Sequence, residues 1–173
     1  MSRTRIVAVS LLVVGVLTGV GAPPAQADRS IARDVHPELR AHVVAAYDFD
    51  HPVPGDPALE RDQGRSGTEV ELVNGGTAMR VPDHASRGSG NAVQTRQVDP
   101  TTTGNDDWTV GTWSASVVRT LRAFSATGGT TIMGWFKVNL ERNPCDCRMD
   151  GLLFLDSVVS ASDVRRQDRH LAR

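Results

Sequence analysis

Alternation of apolar and polar residues predicts β-strands along most of this chain. Residues 42–50 (HVVAAYDFD) alternate with a period of two, which is typical of a half-buried strand. Residues 130–138 (TTIMGWFKV) are rich in β-branched and aromatic residues and give the strongest strand prediction. Residues 148–156 (RMDGLLFLD) predict a closing strand whose apolar centre is buried on both faces. We expect the first and the last of these strands to lie side by side in one sheet.

Turn residues separate shorter strands between these three. The Asn-Gly-Gly sequence at 74–76 predicts a tight turn between a strand over 70–73 and its hairpin partner over 78–81. Further strands are predicted over residues 91–98 and 117–126. Beyond the closing strand, Ser160 and Asp163 stand at the N-cap and N3 positions of a capping box, which predicts a short C-terminal helix.

The N-terminal segment has the three parts of an export signal. Arg3 and Arg5 precede an almost unbroken apolar run over residues 6–20, and Ala25-Gln26-Ala27 is a small-x-small cleavage pattern. The run is shorter than the roughly 20 residues that span a bilayer. We therefore predict a signal helix that is cleaved after Ala27, so that the mature protein is secreted and has no membrane partner. The alternative is an uncleaved N-terminal anchor.

The prediction divides the chain into a signal peptide (1–27), a lead-in (28–41), an all-β domain (42–166) and a tail (167–173). The lead-in is predicted to be flexible, with a short helix or an ordered arm as the alternative. Losing Arg3 and Arg5 with the signal leaves 17 basic and 20 acidic residues, a formal charge of −3. A mildly acidic chain without a basic stripe excludes nucleic acid as a partner class.

The two cysteines, Cys145 and Cys147, are separated by one residue. In an oxidising compartment we favour a disulfide between them, which would close a very small ring. Two alternatives stay open. The residues are free thiols, or they are half of a zinc site, for which His170 is the nearest histidine.

Several segments in this order resemble a known family. They are residues 46–50 (AYDFD), 134–138 (GWFKV), 149–156 (MDGLLFLD) and 160–164 (SASDV). Together they resemble the laminin-G-like, concanavalin A-like lectin/glucanase jelly-roll domain of secreted actinobacterial proteins. The resemblance implies an antiparallel β-sandwich. Such domains carry several more strands between the second and third segments, whereas here only residues 139–147 intervene, so the jelly roll is predicted to be incomplete.

Four aspartates are candidate metal ligands, because they end the two strands that are expected to be neighbours: Asp48, Asp50, Asp150 and Asp156. Calcium binds to such groups of oxygen ligands, and the resemblance allows calcium as a cofactor. The alternative is that these carboxylates only form turns.

A polar loop with two tryptophans is the candidate ligand-binding site: Asn105, Asp106, Asp107, Trp108 and Trp113. Aromatic rings stack on sugar faces, and acids and amides bind sugar hydroxyls. The alternative is that these tryptophans belong to the core, as most tryptophans in strand-rich domains do.

No catalytic motif stands out in the sequence. There is no G-x-S-x-G elbow, the five histidines are scattered, and Glu69-Val70-Glu71 lacks the third acid of the glycosidase strand motif that is usual for this sandwich. We predict a secreted, non-catalytic module that binds carbohydrate or extracellular protein surfaces. The alternatives are a glycan-active hydrolase or its accessory fragment, and a truncated product without independent function.

Overall fold

Two antiparallel sheets and one C-terminal helix form the described part of the chain. The structure is a computed structural model, and it describes residues 5–11, 34–83, 90–96, 110–113, 129–138 and 147–172. The strands are β1 (Arg5–Leu11), β2 (Val43–Tyr47), β3 (Pro52–Val53), β4 (Asp56–Glu60), β5 (Val70–Val73), β6 (Arg80–Pro82), β7 (Asn91–Thr95), β8 (Val110–Trp113), β9 (Thr130–Val138) and β10 (Cys147–Leu155), and the helix is α1 (Ala161–Leu171).

Strand β10 organises the first sheet. The sheet has the order β1-β9-β10-β7-β6, and β2 also pairs with β10. One edge of β10 carries β9, and the other edge carries β7 and β2 one after the other. Leu152 lies opposite Tyr47 and Leu153 opposite Ala46. The predicted pairing of residues 42–50 with residues 148–156 is therefore confirmed.

The second sheet has the order β3-β4-β5-β8. The predicted hairpin of residues 70–73 with residues 78–81 is wrong, because β5 belongs to the second sheet and β6 pairs with β7 in the first. Asn74 has the left-handed φ of 62° that a tight turn needs. The chain then forms a short 3-10 helix over Gly76–Met79 and crosses to the other sheet instead of folding back.

The main apolar core lies between the two sheets and makes the fold sandwich-like. Its buried members come from both sheets: Ala45, Tyr47, Phe49, Val70, Leu72, Met79 and Val93. The Tyr47 hydroxyl donates a hydrogen bond to the Thr68 carbonyl, so the one polar atom of this large side chain is satisfied inside the core. Burial of such side chains contributes roughly 1.5–3 kcal/mol each.

A second core covers the opposite face of the first sheet. Val35 and Leu39 pack there against β2, β9 and β10, with Val159 and Val164 beside them. The described residues 34–41 are thus an ordered arm and not the flexible lead-in that we predicted. Strand β2 is buried along its whole length, whereas the alternation predicted a half-buried strand. The arm and helix α1 cover the face that was expected to meet solvent.

Helix α1 begins as predicted. The Ser160 hydroxyl accepts a hydrogen bond from the Asp163 N–H, and the Asp163 carboxylate accepts one from the Ser160 N–H, which is a capping box. The helix continues to Leu171, into residues that were predicted to form a tail. Gln167 is buried and fixes the arm, because its amide donates to the Asp34 carbonyl (2.7 Å) and accepts from the His36 N–H (2.8 Å).

The start of the chain differs from the predicted signal helix. Residues Arg5–Leu11 form β1, which pairs with β9 along the edge of the first sheet. The predicted cleavage position at Ala27, the strand over residues 117–126 and the shortened connection after Val138 lie outside the described residues. Within the described ranges, no helix is long and apolar enough to span a bilayer.

Candidate binding site at the rim of the sheets

The turn after β2 brings polar side chains to one rim of the molecule. Phe49 adopts a left-handed φ of 58°, an uncommon conformation for a residue with a side chain, and its ring is buried in the core. Anchoring by this ring fixes the turn. Asp48, Asp50 and His51 consequently remain partly accessible on either side of it.

Asp48, His51 and Glu60 form what we call the acid–histidine cluster. The Asp48 carboxylate lies 2.8 Å from His51 Nδ1, and the backbone N–H of His51 donates to Glu60 Oε1 at 3.0 Å. Glu60 ends β4 opposite Pro52, so the β3–β4 pairing sets its position beside the histidine. The Glu60 side chain is fully buried, whereas that of His51 is 38% exposed. A ligand can therefore reach the histidine but not the glutamate.

Arg80 clamps the buried side of this cluster. Its guanidinium donates to Glu60 Oε2 (2.8 Å) and to the carbonyls of Phe49 (3.1 Å), Leu59 (3.2 Å) and Pro57. Both Glu60 oxygens are thus engaged, one by His51 and one by Arg80. A buried carboxylate without such partners would be strongly unfavourable.

The surroundings shift two pKa values in this cluster. Burial lowers the pKa of His51, but the hydrogen bond and charge of Asp48, together with the charges of Glu60 and Asp50, outweigh it and raise the pKa above the ordinary 6.5. Burial raises the pKa of Glu60 above 4.5, although the hydrogen bonds from Arg80 and His51 act in the opposite direction. The histidine is therefore a proton-holding, positively charged group at mildly acidic pH.

The cluster has only part of what a metal site needs. One ligand atom from each of Asp48, His51 and Glu60 lies within 4.8 Å of the others, a spacing that a cation could bridge. Arg80 already supplies a positive charge to Glu60, and His51 Nδ1 is within hydrogen-bond distance of Asp48. A cation would have to displace these partners, so the arrangement favours hydrogen bonding over metal binding.

The four aspartates that were candidates for calcium do not gather at one place. Strands β2 and β10 are antiparallel, so the residues after β2 and those after β10 lie at opposite ends of the pair. Asp156 binds His42 (3.1 Å) and Arg65. Asp150 is buried and accepts the Gly151 N–H at 2.6 Å. The structure therefore separates Asp156 from Asp48 and Asp50, and calcium binding itself stays a prediction.

Asp50 forms a second polar group beside the acid–histidine cluster. Its carboxylate accepts from the Gly90 N–H and from the side-chain amide of Asn91, both at 2.7 Å. Gly90 is exposed and Asn91 is half-buried at the start of β7. The rim thus presents a carboxylate, an amide and an imidazole close together, and these are groups that bind hydroxyls.

The residues that the sequence singled out fall mostly elsewhere. Asn105, Asp106, Asp107 and Trp108 lie outside the described residues. Trp113 ends β8, and its backbone lies opposite Val70.

The predicted disulfide stays a prediction, because Cys145 also lies outside the described residues. Cys147 begins β10, and its Sγ lies 3.2 Å from the Thr95 hydroxyl.

Sequence reasoning missed Glu60, Arg80 and Asn91. Glu60 and Arg80 are 20 residues apart and belong to different sheets, so no local spacing signals their pairing.

Comparison with known proteins adds no relative. No family model matches the chain, and neither the curated proteins nor the solved structures contain a match.

Proposed function

We propose that this chain is a secreted, non-catalytic module that binds carbohydrate or protein surfaces outside the cell. In this proposal the two sheets are an incomplete jelly roll of the laminin-G-like type, and residues 1–27 are removed on export. The observation that carries the proposal is the rim where Asp48, Asp50, His51 and Asn91 meet, because it offers donors and acceptors for hydroxyl groups on a fixed scaffold.

The bonding of the rim favours binding over hydrolysis. A retaining glycosidase needs two free carboxyl groups about 5–5.5 Å apart. Asp48 and Glu60 are close enough together, but Glu60 is fully buried and both of its oxygens accept hydrogen bonds. It is therefore unable to protonate a glycosidic oxygen or to attack a sugar. The same bonding makes ligand binding independent of added calcium in this proposal.

The test is binding of the exported, purified protein to a glycan array and to extracellular matrix proteins, with and without calcium. We expect binding that calcium does not change. Asp50→Ala removes the acceptor of two hydrogen bonds and is expected to weaken binding at least tenfold, which corresponds to about 1.4 kcal/mol. Asp168→Asn is the control, because Asp168 is exposed and belongs to helix α1, a different element from those that carry the rim residues.

Three outcomes would contradict the proposal in different ways. Release of reducing sugar from β-glucans would favour the hydrolase. A coil-like circular dichroism spectrum would favour the truncated product. A folded protein that binds no glycan and no matrix protein would leave the binding function without support.

A further inference from the structure

Strand β1 occupies one complete edge of the first sheet. Its seven residues pair antiparallel with β9 without interruption, from Arg5 opposite Phe136 to Leu11 opposite Thr130. Among the described strands, β1 is the only one on this edge of β9, because the other edge belongs to β10. The pairing demonstrates that the β9 edge accepts an extended, antiparallel, apolar segment.

Export would remove the strand that covers this edge. Residues Arg5–Leu11 lie within the predicted signal peptide, so cleavage after Ala27 would take away β1 and leave β9 at the border of the described part of the sheet. An edge strand of nine residues presents a row of unpaired N–H and C=O groups, which is a template for another strand.

We propose that the leader strand caps β9 before export, and that two copies of the mature chain afterwards pair through their β9 edges. This inference rests on the export in the proposed function. Two-fold symmetry makes such a contact isologous, so each copy supplies the same strand. The result is one continuous antiparallel sheet that runs through both copies.

The sequence of β9 suits pairing with itself. Gly134 is the central residue of Thr130–Val138, so a two-fold axis at this position places Gly134 opposite its counterpart. Trp135 then lies opposite Met133, and Lys137 lies opposite Thr131. No like charges meet, and aromatic or β-branched residues face one another, which stabilises antiparallel strand pairs. Lys137 stays paired with Asp83 within its own copy (3.0 Å).

The test compares the unprocessed full chain with the exported protein. Mass spectrometry first establishes whether residues 1–27 are absent. Size-exclusion chromatography with light scattering then measures the mass in solution at increasing concentration. We expect the full chain to be a monomer and the exported chain to have twice the monomer mass.

A peptide with the sequence of residues 5–11 (RIVAVSL) makes the test specific to the β9 edge. Added to the exported protein, it is expected to restore the monomer mass. The control is the same peptide with Val7→Pro and Val9→Pro, which loses backbone donors and is expected to leave the dimer intact.

The outcomes separate this inference from the proposed function. An exported chain that lacks the leader yet remains a monomer overturns the dimer and leaves the binding function standing. A dimer that the RIVAVSL peptide does not dissociate also overturns it, because another surface then holds the copies together. An exported chain that retains residues 1–27 overturns both the cleavage and the dimer that depends on it.

Discussion

We predict that Asp62→Ala strongly destabilises the fold, although Asp62 lies in a loop. Its carboxylate is buried and accepts four hydrogen bonds: from the backbone N–H groups of Ala46 (2.8 Å), Gly64 (2.6 Å) and Thr68 (3.4 Å) and from the Ser66 hydroxyl (2.6 Å). By accepting from the Ala46 N–H, the carboxylate replaces the backbone carbonyl that a neighbouring strand would provide at this edge of β2.

The size of the effect follows from what each donor loses. Ala46 is buried (5% exposed), so its N–H is left without its acceptor at a cost of about 1–3 kcal/mol. Ser66 and Thr68 keep their bonds to each other, and the half-buried Gly64 can turn to water. Because the hydrogen bonds to the charged carboxylate are lost as well, we expect Asp62→Ala to lower the free energy of unfolding by about 3–4 kcal/mol in total.

The assay is urea unfolding monitored by tryptophan fluorescence. The free energies of unfolding are compared between variants whose dependence on urea concentration has the same slope. Asp62→Asn keeps an oxygen that accepts from the Ala46 N–H, but its NH₂ group would face the Thr68 N–H, which is also a donor. We therefore expect Asp62→Asn to lower the free energy of unfolding by about 1–2 kcal/mol. Asp56→Ala is the control, because Asp56 is exposed and its carboxylate accepts a hydrogen bond from the Ala58 N–H, two residues away in the same strand. An Asp62→Ala variant within about 0.5 kcal/mol of the parent would refute the reasoning.

Three further predictions concern the same region. Gly64→Ala is expected to lower the free energy of unfolding by about 3 kcal/mol, because its Cβ would lie 2.5 Å from a backbone oxygen of β2. Gly67→Ala has open space around the new Cβ but a left-handed φ of 62°, so it should lower the free energy of unfolding in urea by about 1–2 kcal/mol. Arg80→Met is expected to cost about 3–5 kcal/mol by leaving Glu60 buried and unpaired, and adding Glu60→Gln should recover part of the loss; no recovery would argue against the charge as the cause. Since the pKa of His51 is raised in the folded chain, its stabilising effect is full below pH 6.5 and is lost as the pH rises through the folded value. The stability difference from His51→Gln should therefore shrink with rising pH, and an NMR titration that places this pKa at or below 6.5 would contradict the prediction.

The sequence predicts the elements whose signals are local. Strand β9 and the capping box at Ser160 were predicted correctly, because a run of β-branched residues favours a strand and an S-x-x-D pattern favours a helix start without help from distant residues. The pairing of β2 with β10 was also found. The hairpin around Asn74 was not, since a turn signal says that the chain bends but not which sheet receives it.

The candidate site was harder to predict than the fold. Glu60 and Asp62 look like solvated loop acids in the sequence, and only the tertiary structure shows that they are buried against Arg80 and β2. Ala46, which binds Asp62, is 16 residues away from it, and Arg80 is 20 residues away from Glu60, so no short spacing in the sequence predicts these two contacts. The sequence instead drew attention to the tryptophan-rich loop, most of which lies outside the described residues.

The position of β10 along the chain has a consequence for biogenesis. Its three partners, β2, β7 and β9, are all synthesised before it, and it alone connects them. A growing polypeptide that has not yet reached Cys147 therefore lacks the strand that joins the first sheet, and the pairing of β2, β7 and β9 with β10 must wait for long-range closure. The first sheet can therefore close only after Leu155 has been synthesised, however early its other strands emerge from the ribosome.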